Sequence, residues 1–321
     1  MNNKLFLLMA ICIVLVISLL KLNLTNKLPL IAIANYGPHA SLSSAIEGFK
    51  EQMTKEGFVE GENICYEIAD IGFDLPLLPQ MLSSLKAKSP SIMVVMTTPV
   101  AQAAKGKIHD IPLIYNVVTD PVEAGLIKEL HQADENMIGS SDMQDLKSFV
   151  QFAKSLLPHA KKIGLLYATS ESNDRALVKM MQIAAASFDM EVLAIPIEQA
   201  RDVPIRVLEF KGKVDLIYVG TSGPIQSTLP AIAAASYKMQ IPLFNVEDSA
   251  VRDGLALASF GLNYKAVGRN AGKLGAAILR GERVRDLVPL YPTTIDHYGV
   301  INKKLAQEFG VAIPQNVEIV E

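Results

Sequence analysis

Polar side chains able to hold a small molecule recur at one kind of place in this sequence, at or just beyond the ends of short apolar runs. Asn35, Tyr36, His39 and Ser43 follow Leu30–Ala34, Thr97 and Thr98 follow Ser91–Met96, and Thr119 and Asp120 follow Leu113–Val118. In the second half, Tyr167, Ser170, Glu171 and Asn173 end or follow Lys162–Tyr167, Thr221 and Ser222 follow Val214–Gly220, and Asn245 and Glu247 end or follow Leu243–Val246. Hydroxyls, amides and carboxylates in this mixture donate, accept and ion-pair. They suit noncovalent recognition of a small polar solute. Catalysis is not signalled: Ser170 lacks a Gly-x-Ser-x-Gly context, and neither cysteine has a plausible histidine partner. The five histidines are scattered without ligand spacing, so no metal is expected. Without GxGxxG or GxxxxGK[ST], no dinucleotide or nucleotide cofactor is expected either.

Each candidate also has a purely structural role open to it. Thr98 suits a helix N-cap with Pro99 at the first helical position, which leaves Thr97 as the better ligand candidate. Asp120 before Pro121 suits a turn. Ser41, Ser43 and Ser44 stand at a helix start, where capping explains one of them and a carboxylate held on backbone N–H groups explains the cluster.

The elements that must position these residues alternate. Leu30–Ala34 reads as a buried strand, and Leu42–Lys50 as a helix with Leu42, Ala45, Ile46 and Phe49 on one face. Further strand and helix patterns follow through Asp120, with Asn136–Ser141 as an extended connector, and the rhythm then restarts from Leu146. Ile111-Pro112-Leu113 and Ile241-Pro242-Leu243 occupy matching places in the two halves. The expected fold is α/β, with two doubly wound parallel-sheet lobes and a hinge and ligand cleft between them. Residues 29–140 plus 259–287 form the first lobe, and 141–258 plus 288–321 the second. Gly268, Gly272 and Gly275 in the helix Tyr264–Leu279 are spaced for close packing.

A chain of 321 residues that is 50% hydrophobic can bury two such cores, and a net charge of −3 gives no case for nucleic acid. Residues 1–28 form a separate N-terminal segment. Leu5–Leu20 is an apolar run broken only by Ser18 and closed by Lys21, at the lower limit of the about 17–25 residues needed to span a bilayer, and counting through Leu24 makes it adequate. No small-x-small site follows, and Cys12 lies mid-run behind Ile11. The expectation is therefore an apolar N-terminal helix that tethers an exported, periplasmic or extracytoplasmic domain to the inner membrane, with a cleaved signal peptide as the alternative.

Several stretches resemble one family. NYGPHASL (35–42), EGFVEGEN (56–63), TTPVAQAAK (97–105), IPLIYNVVTDPVEAGLI (111–127), VDLIYVGT (214–221) and DGLALASFGLNYKAVGRNAGKLGAAILRGE (253–282) are similar to the tryptophan/tyrosine-type ABC transporter substrate-binding proteins, from about Leu30 to Pro314. The resemblance implies a type I periplasmic-binding fold and a non-enzymatic receptor for aromatic amino acids or related molecules. It also implies an ABC permease and its ATPase as partners. Two departures stand out: Thr221-Ser222-Gly223 where the family usually has Thr-Asp-Asn, and Asn263 where Asp is usual. With that Asp replaced by Ser222, a ligand ammonium would need Glu171 or Glu247 instead. A ligand-sensing module that signals through a membrane partner is the alternative function. Only about three residues precede the apolar run, so its output domain would have to be another chain.

Overall fold

The computed structural model describes residues 28–315 and 317–321. The apolar run 5–24 expected as an anchor lies outside them, and among the described residues no helix is long and apolar enough to cross a membrane. The first sheet holds β1 (Leu30–Asn35), β2 (Cys65–Asp70), β3 (Ile92–Met96), β4 (Leu113–Val118) and β5 (Met137–Ser141), in the spatial order β2-β1-β3-β4-β5 and parallel throughout. Strands β1, β3, β4 and β5 are buried almost end to end, as parallel strands covered on both faces must be. Around them lie α1 (Ala40–Lys55), α2 (Leu78–Ala87) and α3 (Thr98–Lys105). The stretch expected as an extended connector, Asn136–Ser141, supplies β5 instead. Met137 and Ile138 are buried against β4 at the sheet edge, a pairing that five residues do not announce in sequence.

The chain then crosses to the second lobe and builds α4 (Leu146–Leu156), β6 (Lys162–Ala168), α5 (Ser172–Ala186), β7 (Glu191–Ile197), β8 (Leu216–Val219), α6 (Leu229–Met239), β9 (Leu243–Asn245) and β10 (Ala258–Leu262). It returns to the first lobe as α7 (Tyr264–Leu279), which lies along α1. It crosses back to add β11 (His297–Asn302) and β12 (Glu318–Val320). The second sheet runs β12-β11-β10-β9-β8-β6-β7, parallel except where β11 meets β10. The boundary expected at 258/259 falls inside β10, whose five residues all pair with β11 in the second sheet, so the crossing lies at Asn263. Leu290, expected within the second-lobe segment 288–321, bridges to Ser140 of the first sheet.

Helices α1 and α7 touch backbone to backbone. A Cβ on Gly268 would lie 1.9 Å from the Ala45 carbonyl oxygen, and one on Gly48 would lie 2.0 Å from that of Lys265. The stripe Gly268, Gly272, Gly275 is therefore a packing device: no larger residue fits at the first two without moving a helix or its side chains. Asn263 ends the crossing and caps α7, its Oδ1 accepting the Ala266 N–H at 3.2 Å. Asn and Asp serve alike as N-caps, so the departure from the family pattern at 263 preserves a structural role.

Candidate functional site

The carboxyl ends of the central strands of both sheets face one another across a narrow cleft with a cavity of about 60 Å³. Tyr36, His39, Thr97, Thr98 and Thr119 line it from the first lobe, and Glu171, Asn173, Thr221 and Glu247 from the second. The remaining candidates do not line it. Asn35 shapes the loop after β1, donating to the Gly37 carbonyl and to Asp70 Oδ2. Asp120 caps the turn beyond β4 by accepting the Val122 and Glu123 N–H groups. Asn245 is buried and pairs with Gln226 and the Glu247 N–H. Ser43 and Ser170 are exposed, Tyr167 packs against the second core, and Ser222 is buried beside the cleft. Ser41 of the serine cluster at the start of α1 joins the wall, as do side chains that the sequence did not single out: Phe73, Val117, Asp142, Gln226 and Tyr264. Asp142 comes from the first crossing segment and Tyr264 from the second. Nothing local marks either, because each is brought to the cleft by the lobe crossing itself.

Two glutamates reach across the cleft. Glu171 and Glu247 stand at the N-cap positions of α5 and of the short helix Asp248–Arg252, yet neither caps its own helix. Glu171 Oε1 instead accepts the Tyr36 hydroxyl at 3.3 Å, and Glu247 Oε2 lies 3.4 Å from His39 Nε2. The Thr119 and Thr221 hydroxyls meet at 3.3 Å, and outside the cleft Lys179 pairs with Glu123 at 2.6 Å. Four contacts between lobes define a closed arrangement.

The site is acidic, and its acids are buried. Asp142, Glu171, Asp174 and Glu247 are all at least nine-tenths buried. Burial strips water from each and raises its proton affinity. The Asp142 carboxyl is pushed up to about 7, against the pull of the Thr119 hydroxyl. Asp174 is also pushed up to about 7, by burial and then by the charge of Glu171. Glu171 is raised by burial, offset in part by Asn173, Tyr36 and the Gly223 N–H. Burial raises Glu247 too, with His39 offsetting it.

These shifts fix the sign of a pH effect. An acid whose folded proton affinity exceeds its unfolded one binds more protons when folded, so its contribution to stability falls as pH rises. For Asp142 and Asp174 the window runs from about 3.8 to about 7. The surface carboxylates with the opposite shift, such as Glu51 at about 2, titrate below it. The ligand-free protein is expected to lose stability between pH 5 and 7.5, and Asp142→Asn to flatten that slope. Thermal unfolding across the range checks this, and a stability that climbs from pH 5 to 7.5 contradicts it.

Strain gathers at the same place. Phe73, Thr97 and Val117 line the cleft with φ of 65°, 74° and 58°, a region that L residues other than Asn and Asp seldom occupy. Thr97 is the N-cap residue of α3, with ψ 161°, where the sequence favoured Thr98. Val117 sits at the shift in register between β4 and β5, a bulge that turns it toward the cleft. Thr97→Gly is expected to raise the unfolding free energy by about 1 kcal/mol while weakening ligand binding. A less stable variant in urea titration would show that the threonine's contacts outweigh the strain.

Two α/β lobes, three crossings and a polar cleft between strand ends define a bilobal solute-binding protein of the type I periplasmic-binding fold. The chain belongs to the ABC transporter substrate-binding protein family, whose model matches residues 30–320. It is 34% identical over 271 residues to a tyrosine-binding protein of Clostridioides difficile, covering 84% of this chain and 77% of that one. Among solved structures, an ABC domain from Streptococcus pneumonia in complex with L-Trp aligns with a TM-score of 0.86 at 26% identity, over 92% of this chain and 100% of that one. A ligand-free, open substrate-binding protein with adhesive properties from Clostridium difficile aligns at 0.72 with 30% identity, over 92% of this chain and 99% of that one. The better overlay is with the liganded structure despite its lower identity, in keeping with the contacts across the cleft.

Proposed function

We propose that this protein is the extracytoplasmic receptor of an ABC importer, and that its lobes close on a small, amino-acid-like ligand bearing an ammonium group and an aromatic or similarly apolar body. The observation that carries this reading is the pair Glu171 and Glu247, buried at the cleft and turned away from their own helix ends. A buried carboxylate is costly unless a cation joins it. Tyr36 and Phe73, edge to face at 5.3 Å, offer an aromatic wall for the rest of the ligand. The relatives named for tyrosine and crystallised with L-Trp favour the same ligand class.

The polar side chains that line the cleft divide by lobe. Tyr36, His39, Thr97, Thr98 and Thr119 would orient the ligand on the first lobe, and Glu171, Asn173, Thr221 and Glu247 would complete the site on closure. No catalytic step is part of the proposal. The closed form would dock on a membrane permease driven by its ATPase, with the segment 5–24 as tether. Thermal unfolding of residues 26–321 against amino acids, amines, nucleosides and sugars tests the ligand class. A ligand at 100 times its dissociation constant adds about 2.7 kcal/mol of stability. A response confined to sugars or nucleosides would overturn the reading.

A further inference from the structure

The balance of charge and of hydrogen-bonding groups in the cleft says more than that an ammonium enters it. Asp142, Glu171 and Glu247 line the cleft, with Asp174 directly behind, and the lining contains no lysine or arginine. Arg175, the nearest in sequence, turns away to the Thr169 and Glu171 carbonyls. Lys265, beside Tyr264, pairs with Glu47 and Glu51. His39 is the one lining side chain able to carry positive charge, and it already faces Glu247. In the closed form Glu247 stands beside the start of α1, 3.4 Å from His39 and next to the Ser41 side chain, and brings a negative charge to that helix end.

The unpaired groups point the same way. Among lining side chains, the buried polar atoms without a partner are Asp142 Oδ1, Asn173 Oδ1 and Thr97 Oγ1. The first two only accept. The Asn173 orientation follows from its Nδ2, which faces the Glu171 and Asp174 carboxylates and so leaves Oδ1 as the free atom. The side-chain amide of Gln226, a donor that could have received a carboxylate, is bound to the Gly220 carbonyl and to Asn245, which leaves the Thr97 hydroxyl as the uncommitted donor among the buried lining atoms. An ammonium brings three donors and no acceptor.

Resting on the amino-acid-like reading above, we infer that the cleft selects a net cation: an aromatic or arylalkyl amine without a free carboxylate, in preference to the parent amino acid. An α-carboxylate here would be desolvated among three carboxylates with no cation of its own, whereas the amine lets one of them ionise beside a fixed positive charge. Asp142 is the residue that sets this preference.

The chain contains no tryptophan, so with excitation at 295 nm the fluorescence of tryptamine or L-Trp reports the ligand with little protein background. Titrations at pH 7.5 with tryptamine and L-Trp, and by calorimetry with tyramine and L-Tyr, test the inference. Each amine is expected to bind at least tenfold tighter than its amino acid. Asp142→Asn is expected to shrink that ratio at least threefold, and a ratio within one folded protein is insensitive to a loss of stability. Equal or tighter binding of the amino acids overturns the inference and leaves the amino-acid-like reading standing. Failure of all four ligands, with binding of a neutral solute instead, overturns both. An amine preference that Asp142→Asn leaves unchanged removes Asp142 as its source.

Discussion

Glu171→Gln is expected to weaken ligand binding by roughly 100-fold, about 2.7 kcal/mol, while leaving the ligand-free protein at least as stable as the parent. The two effects have one cause. In the closed protein without a ligand the buried carboxylate is a burden, with its proton affinity raised by burial, and an isosteric neutral amide removes that cost while keeping an acceptor for the Tyr36 hydroxyl. In the proposed complex the same carboxylate would be the counter-charge of an ammonium, and an amide could not replace it. Calorimetric titration with the tightest ligand from the panel, beside urea unfolding of the ligand-free variant, separates the terms. A loss of less than threefold in affinity would move the ammonium's partner to Glu247 or Asp142. A fall in both affinity and stability would make Glu171 a structural residue.

Gly268→Ala is expected to cost about 2–3 kcal/mol of stability, although alanine favours a helix by about 1 kcal/mol. The new methyl would stand 1.9 Å from the Ala45 carbonyl oxygen, a backbone atom that cannot swing aside, so α1 and α7 must part along their length. Gly48→Ala meets the Lys265 carbonyl in the same way at 2.0 Å. The two changes share one remedy, so the double variant should lose less than the sum. Ligand affinity should fall too, because α1 begins beside His39 and Ser41 and α7 begins at Tyr264, all of which line the cleft. Urea unfolding measures the first effect. An unfolding free energy equal to or above the parent's would show that the helices tolerate a wider spacing.

The strand ends were legible because a parallel strand buried on both faces leaves an unbroken apolar run. Leu113–Val118 and Lys162–Tyr167 could be marked to within a residue, and with them Thr119 and Glu171. Strands that owe their place to a neighbour were not legible. β5 has only Met137 and Ile138 as large apolar residues ahead of Gly139-Ser140-Ser141, β12 has two exposed residues of three, and β10 begins three residues later than its apolar run suggests, since Leu255–Leu257 lead into it. Between β8 and β9 the chain forms two helices, Gly223–Gln226 and Leu229–Met239.

By itself, then, the sequence determined the α/β architecture in two lobes, the glycine-faced helix and the pool of polar residues from which the site is drawn. Periodicity and composition are local properties, and each of those features is local. The tertiary structure alone decided which of the pool face one another. Asn35, Asp120 and Asn245 shape loops and turns, while Asp142 and Tyr264 enter the cleft from the crossings between lobes. It also decided the electrostatics. A glutamate after a strand is an ordinary solvated acid until a second lobe closes over it, and only that removal of water raises the proton affinity of Glu171 and Glu247, the feature on which the proposed cation site rests.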